Sequence, residues 1–155
     1  MAPGCGEGRR LMSSWDDVRR RLETDLLDLA DAEFVVVGEP EPPRSPARGL
    51  LRRRAAPEPA RYVQVRRDGD HWYAECVGAT SFGGDWDVDE VTHERLRSTG
   101  WLVPGEEDPT GVQPSYPNYW KVLPRAEAGR AASLCSDALA LLGADPSTLE
   151  WRRDA

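Results

Sequence analysis

Apolar residues recur every three or four positions near the start of the chain, which is the spacing of one face of a helix. These positions are held by Trp15, Val18, Leu22, Leu26 and Leu29. Ser14 precedes them and belongs to the residue types that cap helix N-termini, and acidic residues follow in the first turn. The pattern predicts a helix over about residues 14–31.

Runs of β-branched and aromatic residues come next, and they predict three strands. The strands are residues 34–37, 62–67 and 71–78. Asp68 and Gly69 separate the last two, and this dipeptide supplies the positive φ of a tight hairpin turn. We therefore expect the three strands to form an antiparallel sheet.

Two further helices and one strand complete the pattern. A helix is predicted over residues 88–99, because Gly100 is the residue type favoured just after a helix C-terminus. Residues 119–123 form an aromatic fourth strand, and residues 125–142 form a helix whose small side chains permit close packing. The fold class expected is α+β, a single domain of order α-β-β-β-α-β-α with an antiparallel sheet packed by helices.

Segments of different composition flank and interrupt these elements. Residues 1–12 are expected to form a flexible leader, and residues 39–60, with six prolines, a mobile insert between the first two strands. The folded domain is expected over residues 13–151 and a short tail over residues 152–155. A length of 155 residues fits one domain.

The charge of the chain is unevenly distributed and limits its partners. The net charge is -7, yet residues 44–67 hold eight arginines and one glutamate, so the rest of the chain is strongly acidic. An acidic body repels nucleic acid, and no run approaches the roughly 18 apolar residues of a membrane span. The first residues also lack the apolar core of a signal peptide. We expect a cytoplasmic protein that binds neither nucleic acid nor membranes.

The residue types that bind metals lack the spacing that metal sites require. The three cysteines are too widely separated for a zinc site or a disulfide framework. Asp85, Asp87 and Asp89 match the first ligands of a calcium loop, but the glycine and glutamate that such a loop needs later are missing. These acids better suit the positive N-terminal end of the second helix. We expect no metal, no cofactor and no enzymatic activity.

An enzyme whose residues converge only in three dimensions stays open as an alternative. Such a hydrolase or transferase would use Glu75, Asp85, Asp87, His93 and Glu94. Neither histidine of the chain has a catalytic partner at a motif spacing, and a general base requires a positioned partner. A deep cleft in which two of these acids face each other would favour the enzyme.

Six tryptophans are many for this length, and two explanations fit them. Core positions are predicted for Trp15, Trp72, Trp101 and Trp120, each of which buries about 200 Å². The alternative is a partly exposed aromatic groove that grips a peptide. That groove would be lined by Trp86, Trp101, Tyr116, Tyr119 and Trp120.

An ordered series of short matches gives the chain a likeness to a known family. The matches are Trp15, Tyr62-Val63-Gln64-Val65, Ala74-Glu75, Leu96-x-x-x-Gly100-Trp101-x-x-Pro104, Asn118-Tyr119-Trp120, the last helix and Pro146-x-x-Leu149. On these residues the chain resembles the actinobacterial TY-Chap domains, which are grouped with type III secretion chaperone and YbjN-like proteins. The likeness extends over residues 13–151.

The resemblance implies a chaperone-like, non-enzymatic domain that binds extended segments of a client protein and often dimerises. We therefore expect a module that holds a segment of a partner protein against the sheet and the aromatic region 79–123, with edge-strand pairing supplying backbone hydrogen bonds. The partner-binding residues expected are Trp86, Trp101, Tyr116, Tyr119 and Trp120. The alternative is an immunity or regulatory protein of a toxin–antitoxin-like system, which would also bind one partner.

Overall fold

The computed structural model describes residues 14–41 and 60–155, in which helices cover one face of a five-stranded sheet. The helices are α1 Trp15–Asp28, α2 Glu90–Thr99 and α3 Ala128–Leu141. The strands are β1 Phe34–Gly38, β2 Tyr62–Asp68, β3 His71–Cys76, β4 Tyr119–Pro124 and β5 Glu150–Asp154. The expected leader, residues 1–12, and the central part of the expected insert, residues 42–59, lie outside the described residues.

The strands follow the order β4-β3-β2-β1-β5, and every neighbouring pair is antiparallel. Val65 at the centre of β2 lies opposite Val35 on one side and Ala74 on the other, and all three are buried. Alternate residues of a strand point to one face, so this row marks the face that packs against the helices. The predicted α+β class, with an antiparallel sheet packed by helices, is confirmed.

The first two helices begin at the caps that the sequence predicts. The Ser14 hydroxyl accepts a hydrogen bond from the Asp17 N–H, and the Asp89 carboxylate accepts one from the Thr92 N–H at 2.7 Å. These bonds satisfy N–H groups that the first turn of a helix leaves without a partner. Asp89 therefore acts as a helix cap, as expected. Gly100 ends α2 with a φ of 112°, which favours glycine.

The third helix uses its small residues inside the chain. Buried positions of α3 include Ala131, Ala132, Cys135 and Ala138, which pack against α1 and the sheet. At the start of α3 the two helices approach so closely that a Cβ on Gly129 would lie 3.1 Å from Glu23 Oε1. The small-residue face allows this close approach, because it leaves room for the leucines of α1.

A fifth strand, β5, forms where the sequence predicts a tail. It pairs with β1 from Phe34 opposite Asp154 to Gly38 opposite Glu150, so it contains most of residues 152–155. Four of its five residues are charged, and no alternation of apolar residues announces a strand. The strand forms because β2 pairs with only one edge of β1 and leaves the other edge free. This free edge is a feature of the tertiary structure and has no signal in the residues of β5.

An ion-pair cluster holds β5 against the end of α1. The Arg153 guanidinium donates to the Asp28 carboxylate at 2.7 Å, to the Asp28 carbonyl at 2.8 Å and to Glu33 at 2.8 Å. Two residues earlier, the Trp151 ring lies under the Arg21 guanidinium, 4.1 Å from its centroid. These contacts fix the register of a strand that has little apolar side chain to bury.

Candidate functional site

The loops that follow β3 and precede β4 meet at one end of the sheet. They are joined where the Gly78 N–H donates to the Asn118 side-chain oxygen at 3.1 Å and its carbonyl accepts from the Trp86 N–H at 3.0 Å. A Cβ on Gly78 would lie 1.9 Å from the Pro117 carbonyl oxygen, so no larger residue fits. Residues 79–94 and 103–118, which we call the acidic aromatic surface, are therefore held against each other.

Three of the five expected partner-binding aromatics are buried beneath this surface. Trp101, Tyr119 and Trp120 are at most 2% exposed and belong to the core or pack on the sheet. The Tyr119 hydroxyl shares a 2.8 Å hydrogen bond with His93 Nδ1. Burial raises the pKa of this hydroxyl to about 12, so it stays protonated near neutral pH. The three rings lie beneath the loops and are not accessible to a partner.

Trp120 lies on the sheet face that α1 and α3 do not cover. Its ring stacks on Tyr73 with centroids 5.7 Å apart. Residues 103–118 cross over this area, where the Tyr73 hydroxyl donates to the Gln113 carbonyl at 3.2 Å and the Ser115 hydroxyl donates to Glu75. The loop thus covers the ring and is attached to β3 by side-chain hydrogen bonds.

The other two expected aromatics are accessible from outside. Tyr116 is 69% exposed, and its ring lies beside Gly83 and Gly105, where an added Cβ would be 3.5 to 4.0 Å from the ring atoms or hydroxyl. Trp86 is half-buried, and the Arg61 guanidinium covers one face of its ring at 4.1 Å. Val91 at the start of α2 is 64% exposed. The two segments therefore expose one large ring, Tyr116, one exposed aliphatic side chain, Val91, and part of the Trp86 ring.

The same surface carries unbalanced negative charge. Its two segments contain no lysine or arginine and eight carboxylates, namely Asp85, Asp87, Asp89, Glu90, Glu94, Glu106, Glu107 and Asp108. Of these eight carboxylates, only Glu94 forms a salt bridge with another described residue, a long one of 3.5 Å to Arg97. Hydrogen bonds from Thr110 lower the pKa of Asp108, and those from Thr92 lower the pKa of Asp89. Both carboxylates therefore remain charged well below neutral pH.

The β4 edge of the sheet, next to this surface, is largely occupied. The backbone of Trp120 makes two hydrogen bonds with Leu102, of 2.8 and 3.1 Å. The backbone N–H and C=O groups of successive strand residues point to opposite edges, so Val122, two residues after Trp120, directs both groups to this edge. Pro124, the next residue on this edge, has no N–H. An added strand would find only one further complete pair of backbone groups here.

The β5 edge is more open. The bonds from Glu39 N–H to Arg61 and from Arg67 N–H to Glu33 show that the odd-numbered residues of β1 face β2. Even-numbered residues of β1 therefore face β5, which leaves the backbone of Trp151 directed outward. Charged residues along this short strand discourage unspecific strand pairing.

The candidate catalytic residues do not form an active-site cluster. Glu75 accepts the hydrogen bond from Ser115, and His93 contacts the Tyr119 hydroxyl and stacks on Phe82. The exposed loop after β3 and the surface of α2 hold Asp85, Asp87 and Glu94. In residues 14–41 and 60–155, no group of three or more histidine, cysteine or acidic side chains could hold a metal ion. None of the helices in this part combines the length and apolar character needed to cross a bilayer.

Some features of this surface cannot be predicted from the sequence. The contact of Arg61 with Trp86 joins positions 25 residues apart in the chain, and nothing in their spacing indicates it. The exposure of Val91 also depends on how α2 is turned. One signal was available: the absence of lysine and arginine from residues 79–94 and 103–118.

The comparisons with known proteins yield one match. Residues 8–153 match the family described as TY-Chap3, the T3SS (YopN, CesT) and YbjN peptide-binding chaperone 3. Comparisons with curated proteins and with solved structures found no match. The matched range spans nearly the whole chain and includes every described helix and strand except the last residue of β5.

Proposed function

The chain belongs to the TY-Chap3 family of peptide-binding chaperones, and from that premise we propose that it is a non-enzymatic module that holds a segment of a partner protein. The observation that carries this proposal is the match of a peptide-binding family over residues 8–153. The exposed side chains of Tyr116 and Val91, together with the half-buried Trp86 in the same two segments, support it from the structure.

We place the partner segment on the acidic aromatic surface. Tyr116 and Trp86 would contact it directly, since they are the accessible members of the aromatic set. The buried rings of Trp101, Tyr119 and Trp120 would hold these contacts in position from below. Most of the binding energy would come from side chains, because the β4 edge retains only one complete pair of free backbone groups at Val122.

The proposal is tested by affinity purification with three forms of the full-length tagged chain. The first is the wild type, and the second carries Tyr116→Ala with Val91→Ser, which removes two exposed apolar groups. The third is Leu27→Ala, a matched control, because Leu27 is 65% exposed but lies on α1. We expect a stoichiometric protein partner with the wild type and the control and its loss from the double variant.

Retention of the partner by the double variant would contradict the proposal, because binding would then lie elsewhere on the chain. Light scattering of the purified complex gives its stoichiometry and also tests the dimerisation that the family resemblance implies. The cytoplasmic location stays a prediction, which fractionation of cells that produce the tagged chain would test.

A further inference from the structure

We infer that the partner segment held by this module is basic, with an arginine stacked on Tyr116. This inference rests on the proposed function and adds the chemical class of the segment. It starts from the charge of the acidic aromatic surface, which has eight carboxylates and no lysine or arginine. A surface of one charge sign favours a partner of the other sign and accelerates encounter with it.

Part of this charge has no partner within the described structure. The exposed carboxylates of Asp85 and Glu107 make no hydrogen bond or salt bridge with another described residue. They lie two residues after Gly83 and two residues after Gly105, the glycines that border the Tyr116 ring. Carboxylates free of internal partners can pair with a cation without first breaking a bond.

The chain itself shows how a guanidinium binds at this end of the sheet. Arg61 places its guanidinium 4.1 Å from the centroid of Trp86 while donating to the Glu39 carboxylate at 2.7 Å. The arrangement combines an aromatic face with a flanking acid. Tyr116 repeats these two components, since its ring is 69% exposed and acidic residues follow its bordering glycines.

Arginine suits such a site better than lysine. A planar guanidinium stacks on an aromatic face and still donates hydrogen bonds in its own plane, whereas an ammonium group is a strongly hydrated point charge. The structure places a guanidinium over an aromatic ring in three places, with Arg21 on Trp151, Arg61 on Trp86 and Arg66 on Tyr73. The partner segment would therefore present arginine among apolar residues.

The test uses fluorescently labelled twelve-residue peptides of alternating leucine and arginine, and the anisotropy of each is measured with the full-length chain. Matched peptides replace every arginine by lysine, glutamine or glutamate. We expect the arginine peptide to bind best, the lysine peptide several-fold more weakly and the glutamate peptide not at all. Raising the salt from 50 to 500 mM should weaken the arginine peptide at least tenfold, because salt screens exposed charges.

Variants of the chain locate the site. Tyr116→Ala and the charge-neutralising pair Asp85→Asn with Glu107→Gln should each weaken the arginine peptide about tenfold, while Leu27→Ala leaves it unchanged. Circular dichroism of each variant confirms that it is folded. Equal losses in Tyr116→Ala and Leu27→Ala would overturn the inference.

Other outcomes separate this inference from the proposed function. If the glutamine peptide binds as tightly as the arginine peptide and Tyr116→Ala weakens both, the module holds a segment but has no preference for a basic one. If no peptide binds, the basic preference fails, and the affinity purification decides the proposed function independently. If the arginine peptide binds only after residues 42–59 are deleted, the chain's own basic segment is the occupant and the inference is wrong.

Discussion

The division between buried and exposed aromatics predicts a large difference in stability between two substitutions close together in the chain. Trp120 is fully buried, whereas Tyr116 is 69% exposed. Burying a tryptophan removes about 150–250 Å² from water, which at about 25 cal/mol per Å² corresponds to about 4 to 6 kcal/mol as an upper estimate. Measured costs of tryptophan-to-alanine changes in cores are about 3–5 kcal/mol. We expect Trp120→Ala to lower the free energy of unfolding by about 4 kcal/mol.

Tyr116→Ala is the matched control, with an expected change within about 0.5 kcal/mol, as for other surface positions. Urea unfolding followed by far-ultraviolet circular dichroism measures both. With a slope of about 2 kcal/mol per molar urea, the Trp120 variant should shift its midpoint down by about 2 M. Equal shifts in both variants, or a shift below about 0.5 M for Trp120→Ala, would show that residues 103–118 do not cover the Trp120 ring.

Three further predictions follow from other parts of the fold. Truncation after Thr148 removes β5 and should expose the Val36 amide to hydrogen exchange while the Val35 amide stays protected, because only even-numbered residues of β1 face β5. Equal exchange of both amides would contradict the register. Burial raises the pKa of Cys76 to about 12 and also raises that of Cys135. In a Cys5→Ser background, neither of these thiols should therefore react with iodoacetamide at pH 8 until the protein unfolds. The free energy of unfolding should fall as the pH rises above about 8.5, because thiols ionise there in the unfolded chain but not in the folded one. Reaction at the rate of a free thiol would contradict this burial. Hydrogen bonds from Thr92 lower the pKa of Asp89, so the stability that this carboxylate contributes is present above about pH 3.9 and is lost as the pH falls through the pKa of the folded state. Asp89→Asn should therefore make the free energy of unfolding depend less on pH in this acidic range. An unchanged pH dependence would argue against the cap.

The helices and the first four strands could be predicted from the sequence because local signals specify them. Ser14 and Asp89 cap helices through their own side chains, and Gly100 ends α2 through its own φ. The turn at Asp68 and Gly69 likewise joins neighbouring strands and needs no distant partner. Such features depend on residues within one or two turns of chain, where periodicity and residue type are informative.

The fifth strand could not be predicted in this way. Its residues are mostly charged, and it is held by contacts of Arg153 with Asp28 and Glu33 more than 100 residues away. The same reason limits the candidate site. Sequence pattern selects Tyr116 and Trp120 together as aromatic residues of one segment, but only the packing of residues 103–118 over the sheet leaves one exposed and the other buried.

The most direct test of the account is site-specific photo-crosslinking at Tyr116 in cells. A benzophenone amino acid replaces Tyr116 in one variant and Leu27 in another, because both side chains are mostly exposed and only the first lies on the acidic aromatic surface. We predict a discrete adduct at Tyr116 whose mapped peptide is an arginine-containing segment of one partner protein, with little adduct at Leu27. Equal adducts at both positions, or none at Tyr116 while the partner remains bound, would contradict it.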